Sequence, residues 1–393
     1  MTGRILYVTH RVPFPPDRGD RIRTWNVLKF LAGRASVDLA CLADEPPSDG
    51  TLQELRRVTN QLAVVPHAGR GRWVRGAFSM LRGRTMTEGL FESPALTSVL
   101  REWNRQTTYD AVLASSSGVA RYLFPPCINA DTKRWVDLID VDSQKWADYA
   151  RAASFPMSLV YRIEGRRLRT VECRLAETCD RLLVVSEAER DLFRAFCPTD
   201  RIAAVSNGVD YAYFAPQPGN VSEAHSCAFV GVMNYKPNAD AVIWFAQNVW
   251  PQIRQRYPDA KFYIVGKSPG QDVRALQEVG GIQVTGSVAD VRPWLMRATC
   301  AVVPLQIARG VQNKVLEAMA CGRPVICSPE PLKALAAEPG VHLLRADTDV
   351  EWMTALSAVF DDRQMQHDLG AAAAQWVQQH YSWSSALAML NEI

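Results

Sequence analysis

Short apolar runs rich in β-branched residues recur along the chain and alternate with segments of helical period. In the first half they cover residues 5–8, 37–43, 62–65, 111–114, 135–139, 182–185 and 202–205. In the second half they cover 228–230, 262–265, 282–285, 300–303, 325–327 and 341–344. Near-continuous apolar runs this short suit strands buried on both faces of a parallel sheet. Between them the period changes: Val242, Phe245, Val249 and Ile253 form one helical stripe, with Pro258 closing that helix. The alternation occurs twice, separated by an irregular Pro/Gly stretch at 215–220. The pattern predicts an α/β protein of two doubly wound, Rossmann-like domains facing each other across a cleft. Two further helical stretches follow the last strand, at 350–360 and 364–380, and a short terminal one at 384–393.

Composition narrows the function classes. The 393 residues carry 44 Lys+Arg against 41 Asp+Glu, a net charge of +3, which argues against a nucleic-acid binder. No apolar stretch approaches the ~20 residues needed to span a bilayer. Residues 5–8 are too short for a signal-peptide core and are followed by His10 and Arg11. The nine cysteines include no CxxC pair, so neither a disulfide framework nor a zinc site is expected, and the cytoplasm is the expected location. Two segments break the even charge. Residues 66–84 (PHAGRGRWVRGAFSMLRGR) hold five arginines, no acid and several large apolar side chains, a pattern that suits peripheral contact with an anionic membrane surface. Residues 162–174 are also basic, with Glu164 and Glu172 at helical spacing, and read as a solvated helix face.

The common phosphate and hydrolase motifs are missing. Residues 5–8 lead into THRVPFPPDRGDR rather than GxGxxG, and Gly266-Lys267-Ser268 lacks a P-loop's first glycine because position 261 is Lys. There is no GxSxG and no HExxH. The informative stretch is 304–324, PLQIARGVQNKVLEAMACGRP. Residues 311–321 read as a helix, with Gly322 at its C-cap and Pro324 beyond. A glycine loop opening a helix presents free N–H groups and the positive dipole end, which suits phosphate. Arg309 and Lys314 add cations beside Gly310, Val311 and Val315, and Glu317 can accept both hydroxyls of a ribose. Phosphate donors followed by a hydroxyl acceptor describe a nucleoside-diphosphate site. Asp140 and Asp142 are candidates to accept a proton from, or orient, an acceptor hydroxyl; helix capping is the alternative for Asp142. His10 stands at the end of the first strand. No metal constellation is visible, and no cofactor is expected beyond the donor substrate.

The 304–324 segment resembles the donor region of retaining GT-B glycosyltransferases of the family 4 type (group 1), in which two glutamates eight residues apart precede EAMACGxPV. Other matches run in the family's order. Gly19-Asp20 resembles its glycine loop after the first strand, beneath the donor phosphates. Val184-Val185-Ser186-Glu187 and Asn207-Gly208-Val209-Asp210 resemble its hinge signature. Phe229-Val230-Gly231 opens the second domain, and Thr285-Gly286-Ser287-Val288-Ala289-Asp290 resembles the loop packing on the nucleotide base. Tyr381-Ser382-Trp383 resembles the point where the last helix returns to the first domain. MNYKPN, Asp290-Val291-Arg292-Pro293 and ARGVQNKVLEAMA are similar to a branch linked to bacterial exopolysaccharide and exosortase (PEP-CTERM) systems.

The resemblance implies domains over 1–212 and 213–373 and a returning helix over 374–393. It implies transfer from a nucleotide-sugar donor to a lipid-linked or growing glycan with retention of configuration, needing no metal. A non-catalytic nucleotide-sugar binder or a sugar-nucleotide epimerase is the alternative. The departures are specific. Arg309 stands where the first family glutamate belongs, Val232 takes an arginine's place, and Lys236 is an approximate substitute for the family lysine. Asp140-Val141-Asp142-Ser143 stands where a histidine is often found.

Overall fold

The computed structural model describes residues 3–69, 71–216, 222–308 and 310–393. The chain divides into two compact units, residues 1–206 with 387–393, and residues 207–386. The first is built on a seven-stranded parallel sheet of β1 (Arg4–Thr9), β2 (Ser36–Ala43), β3 (Gln61–Pro66), β4 (Ala111–Ser115), β5 (Lys133–Ile139), β6 (Arg181–Val184) and β7 (Ile202–Ala204), in the order β3-β2-β1-β4-β5-β6-β7. Its helices are α1 (Gly19–Ala32), α2 (Asp49–Val58), α3 (Gly71–Leu81), α4 (Met86–Leu90), α5 (Pro94–Gln106), α6 (Asp142–Ala152), α7 (Met157–Thr178) and α8 (Glu187–Arg194).

The second unit repeats the plan with six parallel strands, β8 (Ser226–Val230), β9 (Lys261–Val265), β10 (Ile282–Gly286), β11 (Cys300–Val303), β12 (Val325–Cys327) and β13 (Leu344–Arg345), ordered β10-β9-β8-β11-β12-β13. Its helices are α9 (Tyr211–Phe214), α10 (Lys236–Asn248), α11 (Trp250–Arg256), α12 (Gln271–Ala275), α13 (Arg292–Arg297), α14 (Asn313–Ala320), α15 (Pro329–Leu332), α16 (Asp349–Asp361), α17 (Arg363–His380) and α18 (Trp383–Ala386). Counted from its own first strand, each sheet runs 3-2-1-4-5-6, the Rossmann order, and the first adds a seventh strand beyond the sixth. Each therefore has a switch point, β1/β4 in the first and β8/β11 in the second, where crossovers leave in opposite directions and open a crevice. The expected α/β, doubly wound architecture is what the structure shows.

Apolar burial explains the pattern. Leu6, Val8, Val112, Ala114, Val136 and Leu182 meet in the first core, and Phe229, Phe262, Ile264, Val302 and Ile326 in the second. One charged pair crosses the first core: Arg23 of α1 donates to both carboxylate oxygens of Asp137, at 2.6 and 2.9 Å, with both side chains fully buried. Its remaining nitrogen donates to Val205 O.

Four expectations need correction. The stripe Val242–Phe245–Val249–Ile253 is buried, but it spans two helices, broken at Val249 ahead of Pro251. The break turns Trp250 into the core, where its indole N–H donates to Gly280 O at 3.0 Å. Residues 384–393 form a short helical turn and a 3₁₀ turn over Ala388–Glu392 rather than one helix; Leu387 and Leu390, three apart, are buried. The unit boundaries fall at 206/207 and 386/387, and α17 runs unbroken through residue 373. Finally, residues 162–174 are a solvated face only in part: Arg162, Arg166, Arg169 and Arg174 are exposed, but the two glutamates point inward. Glu164 is fully buried and accepts hydrogen bonds from Met86 N, Thr87 N and Thr87 Oγ1 at 2.6–2.8 Å, and Glu172 is buried against Ser143 N at 3.0 Å. Each carboxylate satisfies open N–H groups at the start of another helix, α4 and α6 respectively. Helical spacing alone does not tell such a role from surface pairing.

Candidate functional site

In the second unit the site forms where β8 and β11 diverge. Gly310 has φ +60°, in the left-handed region, and turns the chain into α14, whose N-cap Gln312 makes no side-chain cap. In the first turn of that helix, Lys314 Nζ donates to Asn238 Oδ1 at 2.8 Å and lies 5.3 Å from the centroid of the Phe229 ring. Asn238 donates in turn to Val232 O at 3.0 Å. Gly231 permits this arrangement, since a Cβ there would stand 2.8 Å from Asn238 Nδ2. Burial lowers the Lys314 pKa to about 8, with neighbouring Glu317 opposing the shift; burial likewise raises Glu317 to about 7 against the pull of Lys314. A lysine shifted down and a carboxyl shifted up beside each other make this helix start a candidate binding site.

Other expected donor-site residues divide by placement. Gly286 has open space where a Cβ would stand, and Val288 packs beside the small cluster of Ala228, Tyr263, Val265 and Ala298. Val311 and Val315 are core residues, and the Val315 N–H is already bonded to Gln312 O at 2.9 Å, so neither side chain faces a ligand. Lys236, offered as the substitute lysine, is exposed and paired with Asp240 one turn along α10 at 2.7 Å. The residue of that segment that does reach Lys314 is Asn238, two positions on. Sequence reasoning passed over it because a neutral amide carries no charge signal. Arg309 lies outside the described residues.

The first unit gathers a second group at its own switch point. Thr9 pairs in register with Ser115, which brings His10 Nδ1 within 3.0 Å of Ser115 O. His10 Nε2 lies 3.5 Å from Asp20, which also receives Arg11 at 2.6 Å and Arg18 at 2.7 Å. Burial alone would raise the Asp20 pKa, but His10, Arg11 and Arg18 together hold it far below the usual range. Gly19 and Asp20 form the first turn of α1 rather than a loop, since the N-cap falls at Arg18. Gly19 has nothing within 4 Å of where its Cβ would be.

Beside them β5 ends in a register shift between Asp137 and Ile139, and Ile139 takes φ +70°. Ser116, at the end of β4, takes φ +86°. Positive φ at a β-branched residue is costly, and such outliers gather at functional sites. The bulge delivers Asp140, then Asp142 at the first turn of α6. Asp142 accepts from Ser117 Oγ at 2.9 Å and makes no cap bond, so the capping alternative is set aside. Burial raises its pKa, with Lys145, Ser117 and His10 opposing. Glu189 accepts from Val141 N at 2.8 Å. Glu189 and Glu172 are both raised by burial to about 7, with Asp142 adding to each. Neither glutamate was singled out from sequence as a site residue, although both stand in otherwise amphipathic helices. Among the described residues, no cluster of three or more His, Cys, Asp or Glu side chains is arranged to hold a metal ion.

Two Rossmann-type sheets, each carrying polar groups at its switch point, define the GT-B architecture of glycosyltransferases. Residues 224–362, which lie in the second unit, match the family model described as glycosyl transferases group 1. Over 273 residues, 68% of this chain, the protein is 23% identical to an "uncharacterized 44.6 kDa protein in cps region" of Klebsiella pneumoniae; the match spans 65% of that relative, less than two thirds of its length. Among solved structures, sucrose-phosphate synthase from Thermosynechococcus elongatus is similar with a TM-score of 0.70 and 14% identity, covering 99% of this chain and 98% of that one. Anabaena HepE in complex with UDP and glucose is similar with a TM-score of 0.69 and 15% identity, again over 99% and 98%. The glycosyltransferase WaaG, involved in lipopolysaccharide biosynthesis, is similar with a TM-score of 0.68 and 12% identity over 99% of both chains.

Proposed function

We propose that this protein is a glycosyltransferase that takes a sugar from a nucleoside-diphosphate donor and transfers it, with retention of configuration, to a hydroxyl of a glycan or lipid-linked acceptor. The observation that carries the reading is Lys314 in the first turn of α14, half-buried and held by Asn238 Oδ1 at 2.8 Å with the Glu317 carboxyl nearby, in a segment matching glycosyl transferases group 1. HepE, of similar fold, binds UDP and UDP-glucose; TarM from S. aureus, also similar in fold, holds UDP with α-GlcNAc-glycerol.

In this reading Lys314 and Arg309 neutralise the diphosphate and Glu317 accepts the ribose hydroxyls. Gly310 lets the backbone approach, and Gly286 leaves open space beside its own backbone for the base. The acceptor hydroxyl bonds to the anomeric carbon as the bond from that carbon to the phosphate oxygen breaks. The hydroxyl proton passes to the departing phosphate oxygen on the same face. Asp140 and Asp142 orient acceptor hydroxyls. Charge growing on the diphosphate is what Lys314 stabilises more in the transition state than before it.

Incubation with a panel of nucleotide sugars and a glycan acceptor should release nucleoside diphosphate. Glu317→Ala should bind that diphosphate about ten- to a hundredfold more weakly by calorimetry. Binding without release for every donor would reassign the protein as a nucleotide-sugar sensor, and unchanged affinity in the variant would move the ribose contact elsewhere.

A further inference from the structure

Helix α3 is clamped by its small residues and presents its large ones to solvent. Gly76 and Ser79 are buried against α4, where a Cβ on Gly89 would lie 2.5 Å from Ser79 Cβ and 2.6 Å from Arg75 O. Arg167 of α7 fixes its end, donating to Met80 O and Arg84 O at 2.7 and 2.8 Å. With that face taken, Trp73 (56% exposed), Val74 (69%), Phe78 (52%) and Leu81 (85%) point outward. At 100° per residue these four fall within one arc of about 140°. A soluble helix normally buries such a stripe, so its display on a firmly held helix marks an interaction surface.

The charges around it choose the partner. Arg72, Arg75 and Arg82 flank the arc; Arg72 lies 5.8 Å from the Trp73 ring and Arg82 4.2 Å from the Phe78 ring. The helix contains no acid. The acids that follow are engaged: Glu88 accepts from Thr85 in a capping box and, with Glu92, pairs with Arg84. Apolar side chains with aromatic members, rimmed by unopposed guanidiniums, match an interface of acyl chains beneath anionic headgroups.

We propose that α3 docks the first unit on an anionic lipid surface, with Trp73, Phe78 and Leu81 entering the headgroup–acyl boundary and Arg72, Arg75 and Arg82 meeting the headgroups. The proposal stands on α3 alone and does not depend on the donor reading. Flotation of the full chain with vesicles tests it. Recovery is expected with phosphatidylcholine vesicles containing phosphatidylglycerol, is lost on pure phosphatidylcholine, and falls as salt screens the charges. Each arginine contributes about fivefold to partitioning, so the Arg72→Gln/Arg75→Gln/Arg82→Gln variant should lose about a hundredfold. Trp73→Ser/Phe78→Ser/Leu81→Ser should lose at least tenfold with every arginine kept, at unchanged melting temperature. Were that variant unstable, Leu81→Ser alone, at the most exposed position, should still lose several-fold. Wild-type recovery by either triple variant, equal recovery on both vesicle types, or failure of the native chain to float would overturn the proposal. So would a patch that instead dimerises the protein in the absence of lipid.

Discussion

At the residue scale the proposed chemistry would rest on ionisable groups held away from their ordinary pKa values. Lys314 has its pKa lowered to about 8 by burial, so in the free protein it loses its proton as pH rises through that value. Nucleoside-diphosphate affinity should therefore fall above pH 8, and binding near that pH should take up a proton, because the anion restores the charged form. Calorimetry in two buffers of different ionisation heat measures both effects. Lys314→Ala should abolish the pH dependence and lower kcat about 10²- to 10³-fold, with a smaller rise in donor KM. Glu172 works in the opposite sense. Its carboxyl is raised from 4.5 to about 7 in the folded chain, so the native state holds a proton that the unfolded state has released. Stability therefore declines as pH rises from about 4.5 to 7. Glu172→Gln keeps an acceptor for Ser143 N and should remove Glu172's share of that decline, roughly 3 kcal/mol relative to wild type at pH 8 over pH 4.5, while Glu189 and Glu317 keep theirs. Urea unfolding at several pH values checks the slope.

At the element scale the lesson concerns carboxylates that serve helices other than their own. Glu164 sits in α7 and supplies the acceptors for the first N–H groups of α4. A five-residue helix has no interior to stabilise it, so this outside cap decides whether it forms. Glu164→Ala would leave those donors buried and unpaired, at a cost of roughly 2–3 kcal/mol in urea unfolding. It should also loosen α3, which packs on α4, and amide exchange would show both helices opening together. This part of the molecule was illegible beforehand because the partners lie 77 and 78 residues apart. The strands, by contrast, were readable because an apolar run of the right length is a local signal. β13 was the weakest case: residues 341–344 were expected, but only Leu344 and Arg345 pair, leaving most of the run outside the ladder. Helix α14, expected over 311–321 and found over Asn313–Ala320, was readable for the same local reason. Asn238 was not, since its importance lies in whom it touches.

At the scale of the whole molecule, repetition of one sheet order in both units was foreseeable from the doubled βα alternation, while the ion pair across the first core was only hinted at. Asp137 breaks an otherwise apolar strand, and its partner Arg23 lies 114 residues away in α1. Removing one member strands the other. Arg23→Ala should cost about 3–5 kcal/mol, whereas an apolar replacement of both should cost far less. Equal losses in single and double variants would show that the pair acts through packing alone. The same guanidinium holds Val205 O, at the last strand before the chain leaves the first unit, so the loss should appear as unfolding of the whole unit rather than as fraying.

The second unit begins and ends side by side. Val209 bridges Ser382, its N–H bonds to Tyr381 O at 2.7 Å, and Gly208 leaves space for the backbone of Trp383. The chain thus makes a closed excursion from the first unit and returns to it with Leu387 and Leu390, which are buried there. On a ribosome, which delivers the chain from its N-terminus, residues 1–206 emerge before the second unit yet receive residues 387–393 only after that unit has been made. Assembly of the first unit waits on some 180 residues of intervening chain, so the earlier-made half is the one completed later.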